Sequence, residues 1–172
     1  SSPTDEAGTS PLKKGKVQKR SPSIVRVTKG KVEALSVRAG RMSQEVLSQN
    51  GYIVHTAKDG QETLQKLEER VYNLILLDII LPDVQGLDLI EKLTDTLPKM
   101  RKVIITGYAS LENAVRALNL GANVFIMKPI SPVELIEVVE KELGLQREEL
   151  KNLQDNMAEY VRKETGKRTR EL

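Results

Sequence analysis

Cysteine is absent from the 172 residues, which excludes disulfides, thiol nucleophiles and thiolate metal ligands. A single histidine argues against a His-rich zinc site or a Ser-His-Asp triad. Tryptophan is missing and aromatics make up only 3%, with one Phe, so the core must be aliphatic and stacking on nucleic-acid bases is disfavoured. The longest stretch without a formal charge, Val46 to Ala57, has 12 residues. A membrane-spanning helix needs about 20. No signal-peptide pattern opens the chain, and the expectation is a soluble, cytoplasmic protein. The chain begins with Ser1, as a fragment or processed product would.

What is present, 39% hydrophobic and 30% charged residues, suits one globular domain with extensions. The net charge of +3 conceals a division. Residues 1–32 hold eight basic residues against Asp5 and Glu6, residues 33–144 hold 12 basic and 16 acidic, and residues 145–172 hold seven basic and six acidic. The basic character therefore belongs to an arm. Residues 1–22, rich in Ser, Pro, Gly and Lys, have almost nothing apolar to bury and read as disordered.

From about residue 23, short apolar runs alternate with helix-period segments, the signature of βα units around a parallel sheet. Strands are predicted at Tyr52 to Thr56, Leu74 to Leu77, Val103 to Ile105 and Val124 to Met127, and helices at about 32–50, 60–70, 86–96, 110–120 and 131–143. The runs Leu74-Ile75-Leu76-Leu77 and Val103-Ile104-Ile105 are continuously aliphatic, as strands covered on both faces should be. Asp59 with Glu62, and Ser131-Pro132-Val133-Glu134, mark helix starts. Five helices require a fifth strand, for which Ile24-Val25-Arg26-Val27 is the candidate, and the segment after Val32 reads as a helix with Leu35, Ala39, Met42 and Val46 on one side. Beyond residue 143, Ile136, Leu143, Leu150 and Met157 alternate with Val139, Gln146, Leu153 and Tyr160 at heptad spacing, predicting a long helix able to form a coiled-coil dimer despite Gly144.

In an open parallel sheet the working site lies at the carboxyl ends of the strands. Asp78, Thr106 and Lys128 each follow directly on an apolar run, so a carboxylate, a hydroxyl and an ammonium are expected above one sheet edge. Singly, each has a plain structural explanation; together they suit an anionic group on or beside Asp78. His55 reads as a strand-surface residue without a role.

The stretches Asp78-Ile79-Ile80-Leu81-Pro82-Asp83-Val84-Gln85-Gly86, Ile105-Thr106-Gly107-Tyr108-Ala109 and Gly121-Ala122-Asn123-Val124-Phe125-Ile126-Met127-Lys128-Pro129 resemble the receiver domain of two-component response regulators. The resemblance implies a flavodoxin-like, doubly wound α/β fold with a five-stranded parallel sheet of order 2-1-3-4-5 and a C-terminal helical extension. It makes Asp78 the phosphoacceptor toward a sensor histidine kinase or phosphotransfer protein. Lys128 becomes the phosphoryl-pairing lysine, followed by a cis proline at Pro129, Thr106 the switch hydroxyl and Phe125 the aromatic that turns with it. It places Mg²⁺ on Asp78 and the backbone carbonyl of Ile80. Such a module is a signalling domain, catalysing at most its own phosphorylation and dephosphorylation.

The family's first strand ends in an acidic pair that holds the metal. Counting back from Gly51 lands on Ala34 and Leu35, and after Ile24–Val27 the positions are Thr28 and Lys29. With Asp78 as the sole carboxylate, Mg²⁺ affinity should fall steeply and phosphotransfer should be slow or absent. Lys29 or Lys31 is a candidate to place an ammonium near Asp78 instead.

The expected organisation is thus a basic arm over 1–22, a receiver domain over 23–144 and a C-terminal helix over 145–172. The alternative function is a pseudo-receiver, never phosphorylated, serving as a protein-interaction or dimerisation unit. Nucleic-acid binding by this chain is disfavoured, since no helix-turn-helix follows the receiver and its C-terminal basic residues alternate with acids. A nucleotide enzyme is disfavoured because neither a G-x-G-x-x-G turn nor a G-K-[ST] loop occurs.

Overall fold

The computed structural model describes residues 32–170 apart from 94, 95 and 97. The proposed arm and the candidate strand Ile24–Val27 lie outside the described residues. Elements alternate strictly: β1 (Glu33–Val37), α1 (Arg41–Gln49), β2 (Ile53–Ala57), α2 (Gly60–Glu69), β3 (Leu74–Leu77), α3 (Gly86–Lys92), β4 (Arg101–Thr106), α4 (Leu111–Asn119), β5 (Val124–Met127) and α5 (Pro132–Arg170). The five strands form one parallel sheet in the order β2-β1-β3-β4-β5.

The apolar runs are buried on both sides because successive residues face opposite layers. On β3, Ile75 and Leu77 join a cluster with Leu87, Ile90 and Ala117 of α3 and α4, with Leu64 and Leu67 of α2 packed against it. Leu74 and Leu76 join Val46 and Leu47 of α1 and Leu135, Val139 and Leu143 of α5. The sheet is thus clad by α2, α3 and α4 on one face and by α1 and α5 on the other.

The opening of the domain corrects the sequence-based expectation. Residues 33–37, read as the start of a helix, are the first strand, with Ala34, Leu35 and Val37 buried between the two layers. The helix begins only at Arg41, after Gly40 at φ +99°, and runs nine residues. The 3.6-residue spacing of Leu35, Ala39 and Met42 came from a strand, a turn and a helix in succession. Counting back from Gly51 landed too early because α1 is about one turn shorter than assumed.

His55 is also more than a strand-surface residue. Its ring packs edge-on against Tyr72, with centroids 5.5 Å apart, and its Nδ1 lies 2.8 Å from the Tyr72 hydroxyl. Burial pushes the Tyr72 phenol above its ordinary pKa.

Both predicted helix starts carry side-chain caps. The Asp59 carboxylate accepts from the Glu62 amide at 2.8 Å. Ser131 and Glu134 cap reciprocally, the Glu134 amide donating to Ser131 Oγ at 3.2 Å and the Ser131 amide to Glu134 Oε2 at 3.1 Å. α5 then passes through Gly144 unbroken for 39 residues. Polar clamps hold its first half. Arg101 of β4 donates from Nε and Nη2 to Glu142 Oε2 at 2.8 and 2.5 Å, and the Gln146 amide donates to the carbonyls of Asn73 and Lys99, both at 2.9 Å. Val139, Leu143 and Gln146 of the heptad stripe are therefore spent inside the domain. Leu153, Met157 and Tyr160 are exposed.

Candidate functional site

β3 ends at Leu77, and Asp78 sits at the carboxyl edge of the sheet with its amide donating to the Val37 carbonyl of β1 at 3.0 Å. Asp78 Oδ1 accepts from the Ile80 amide at 3.1 Å, a local turn bond that aims the carboxylate. Oδ2 lies 3.1 Å from Lys128 Nζ, with the Asp78 side chain 14% and the Lys128 side chain 35% exposed. Because β4 separates β3 from β5, the lysine reaches over the end of the intervening strand, and that end is Thr106. Thr106 is fully buried, its carbonyl accepts from the Lys128 amide at 2.9 Å, and its hydroxyl accepts from the Tyr108 amide at 3.1 Å. Lys128-Pro129 is a cis peptide. Asp78 and Lys128 are thus in direct contact, with Thr106 ending the strand between them. Phe125 lies two residues before the end of β5, half-buried against the α2–α4 cluster and opposite Ile104.

Two further residues shape the loop after Asp78. Asp83 reaches across to the start of α2, its carboxylate accepting from the amides of Gly60 at 2.9 Å and Gln61 at 3.0 Å. These backbone donors, Gly60 foremost, hold its carboxyl below the usual carboxylate pKa. A Cβ at Gly86 would lie 2.4 Å from the Ile79 Cα and 2.9 Å from the Asp78 carbonyl oxygen, so the start of α3 can approach the loop after Asp78 only as glycine. Sequence reasoning assigned roles to neither. Both lie in the quoted Asp78–Gly86 stretch, but only the approach of α2 and α3 to that loop reveals what they do.

The residues present do not fit a divalent metal. Mg²⁺ takes a near-octahedral oxygen shell with one or two carboxylates. Among the described residues no group of three or more His, Asp or Glu side chains could hold one. Asp78 is already paired with Lys128, and Ile80 could add only a backbone carbonyl. The residues that follow β1 beside Asp78 are Arg38 and Ala39, in place of both sequence-based registers for the acidic pair. Lys29 and Lys31, the candidate ammonium donors, lie outside the described residues, and Arg38 is the cation that β1 itself delivers.

A doubly wound parallel sheet of this order, with a carboxylate ending the central strand and a lysine reaching it from the edge strand, is the arrangement of a receiver-type signalling domain. The comparisons with known proteins agree. The sequence model of the response regulator receiver domain matches residues 36–140, and the chain belongs to that family. Over 101 residues it is 33% identical to the transcriptional regulatory protein ZraR of Escherichia coli O157:H7, and likewise to the alginate biosynthesis transcriptional regulatory protein AlgB of Pseudomonas putida. These matches take in 59% of this chain but only 23% and 22% of those proteins. A receiver domain protein from Methanospirillum hungatei JF-1 superposes with a TM-score of 0.65 at 40% identity, covering 69% of this chain and 98% of that one. NtrX from Brucella abortus gives 0.64 at 30% identity, covering 73% of this chain and 29% of that one.

Proposed function

We propose that this chain is a phosphoryl-accepting switch in a two-component relay. The Asp78 carboxylate attacks the phosphorus of a phosphohistidine on a sensor histidine kinase or phosphotransfer protein. The P–N bond breaks, the imidazole leaves with the bonding pair and takes up a proton, and an acyl phosphate remains on Asp78. The observation that carries this is the 3.1 Å contact between Asp78 Oδ2 and Lys128 Nζ, which holds an ammonium where phosphoryl charge would develop. The Thr106 hydroxyl would exchange its Tyr108 amide partner for a phosphoryl oxygen, with Phe125 following.

The change would spread to α4, β5 and α5. Their outer surface carries exposed apolar side chains among charged ones, with Leu111, Val115, Met127 and Val133 all at least half exposed. The heptad residues Leu150, Leu153, Met157 and Tyr160 beyond the clamps support pairing of two α5 extensions as a homodimer. The names of ZraR and AlgB fit a transcriptional output reached through such a partner surface.

Incubation of the chain with phosphoramidate followed by intact mass tests this reading. One added phosphate is expected, and none in Asp78→Asn. Arg38 and Ala39 favour a second reading, the pseudo-receiver that works by protein interaction alone. The absence of an adduct after long incubation, with and without Mg²⁺, would select it.

A further inference from the structure

The end of β1 places a cation where the fold otherwise offers metal ligands. Val37 is paired in register with Leu77, and the Asp78 amide is bonded to the Val37 carbonyl, so the next residue on β1 leaves the sheet directly beside Asp78. Adjacent strands lie about 4.8 Å apart. That residue is Arg38. It is held at φ +52°, the one non-glycine left-handed position among the described residues. For a residue other than Gly, Asn or Asp this conformation is disfavoured, because its Cβ crowds the following carbonyl oxygen. It is also exposed, and among the described residues its guanidinium makes a single long hydrogen bond, Nη1 to the Lys58 carbonyl at 3.4 Å. No ion pair to a described carboxylate holds it there.

Charge counting distinguishes what such a site accepts. Asp78, Lys128 and Arg38 together carry +1. Conversion of the carboxylate to an acyl phosphate of about −2 brings the site close to neutral with no metal. A divalent cation added before phosphorylation would face two resident cations and one carboxylate already in an ion pair, an arrangement that repels it. A guanidinium, in contrast, presents planar donors matched to two oxygens of a phosphoryl group.

We propose that Arg38 replaces the divalent cation, making the sheet edge at Asp78 a metal-independent site for phosphoryl-type oxyanions. Its use in signalling rests on the phosphoryl-accepting reading; the capture of the oxyanion does not. On binding, the guanidinium gives up the Lys58 carbonyl and turns over the end of β1 toward the oxygens on Asp78.

The test uses the full chain in buffer stripped of divalent metal, with beryllium fluoride as the acyl-phosphate mimic and amide NMR shifts of residues 78–80 and 106 as the readout. Binding is expected without Mg²⁺ and unchanged within about twofold by millimolar Mg²⁺. Arg38→Gln should weaken it about 10- to 100-fold, the value of a charge-assisted contact, and Arg38→Lys, which keeps the charge but loses the planar fork, should weaken it by a smaller factor. Because Arg38 is exposed, both variants should keep the wild-type circular dichroism spectrum. Binding that requires Mg²⁺, binding indifferent to Arg38→Gln, or no binding at all overturns the proposal. A phosphoramidate arm separates it from the reading beneath it. Metal-free beryllofluoride binding without any covalent phosphate sustains the oxyanion site and removes phosphotransfer. Covalent phosphate that depends on Mg²⁺ and ignores Arg38→Gln sustains phosphotransfer and removes Arg38 from it.

Discussion

Single residues around the site carry stability as well as chemistry. Asp83 ties the loop that follows Asp78 to the first turn of α2, and its carboxyl is depressed by the backbone donors it accepts from. A group whose folded pKa is lowered stabilises the fold above its unfolded value and ceases to do so as pH falls through the folded one. Asp83→Ala should therefore lower the urea midpoint at neutral pH, with the gap to wild type closing as pH drops below about 4. Parallel denaturation curves at pH 7 and pH 3 would show this. Ser36 presents the opposite case. It is fully buried in β1, and its hydroxyl finds no hydrogen-bond partner among the described residues. Ser36→Ala should raise stability by about 1 kcal/mol in urea denaturation, because an unsatisfied buried hydroxyl is removed at nearly constant volume.

Among the elements, α5 does two jobs with one stripe. From Leu135 to Gln146 it covers the sheet, anchored by the Arg101–Glu142 pair and the Gln146 amide, and beyond that it projects with Leu153, Met157 and Tyr160 exposed among the described residues. The proposed pairing of these extensions predicts a dimer by sedimentation equilibrium. The double variant Leu153→Lys with Met157→Lys should shift it to monomer with the receiver fold intact. Such a stripe was legible in the sequence, but its division was not, since packing on a sheet and packing on a second helix call for the same spacing. Gln146 was the clue: a polar side chain at a core heptad position is satisfied here by the Asn73 and Lys99 carbonyls at the sheet's amino edge. The central strands were legible because aliphatic runs admit little else. β1 was not, because Ala34 and Ser36 dilute its apolar run and the turn after it restores a helical period by accident. Arg38 escaped notice for the same reason, as its meaning depends on where β1 ends. Asp78, Thr106 and Lys128 needed no such bookkeeping, each closing an unmistakable run.

For the whole molecule, the division of charge sets what it can attract. Residues 33–144 are net acidic, and the excess of basic residues sits ahead of them. Electrostatic attachment to a polyanion through the folded domain is therefore disfavoured, and random-sequence DNA duplex should show no binding by fluorescence anisotropy at physiological salt. Any attachment at low salt should weaken steeply as salt is added, as counterion release requires. No helix among the described residues is long and apolar enough to cross a membrane.

The unbroken course of α5 has a mechanical corollary. Past Gln146 the helix continues for another 24 residues to Arg170, about 36 Å at 1.5 Å per residue. As a rigid rod it would act as a lever with its fulcrum at the clamp of Glu142 and Gln146. A tilt of about 5° at that fulcrum would sweep the far tip through roughly 3 Å over this length. Rearrangements at the sheet edge too small to reshape the domain would thus arrive at the tip as a displacement large enough to make or break a side-chain contact.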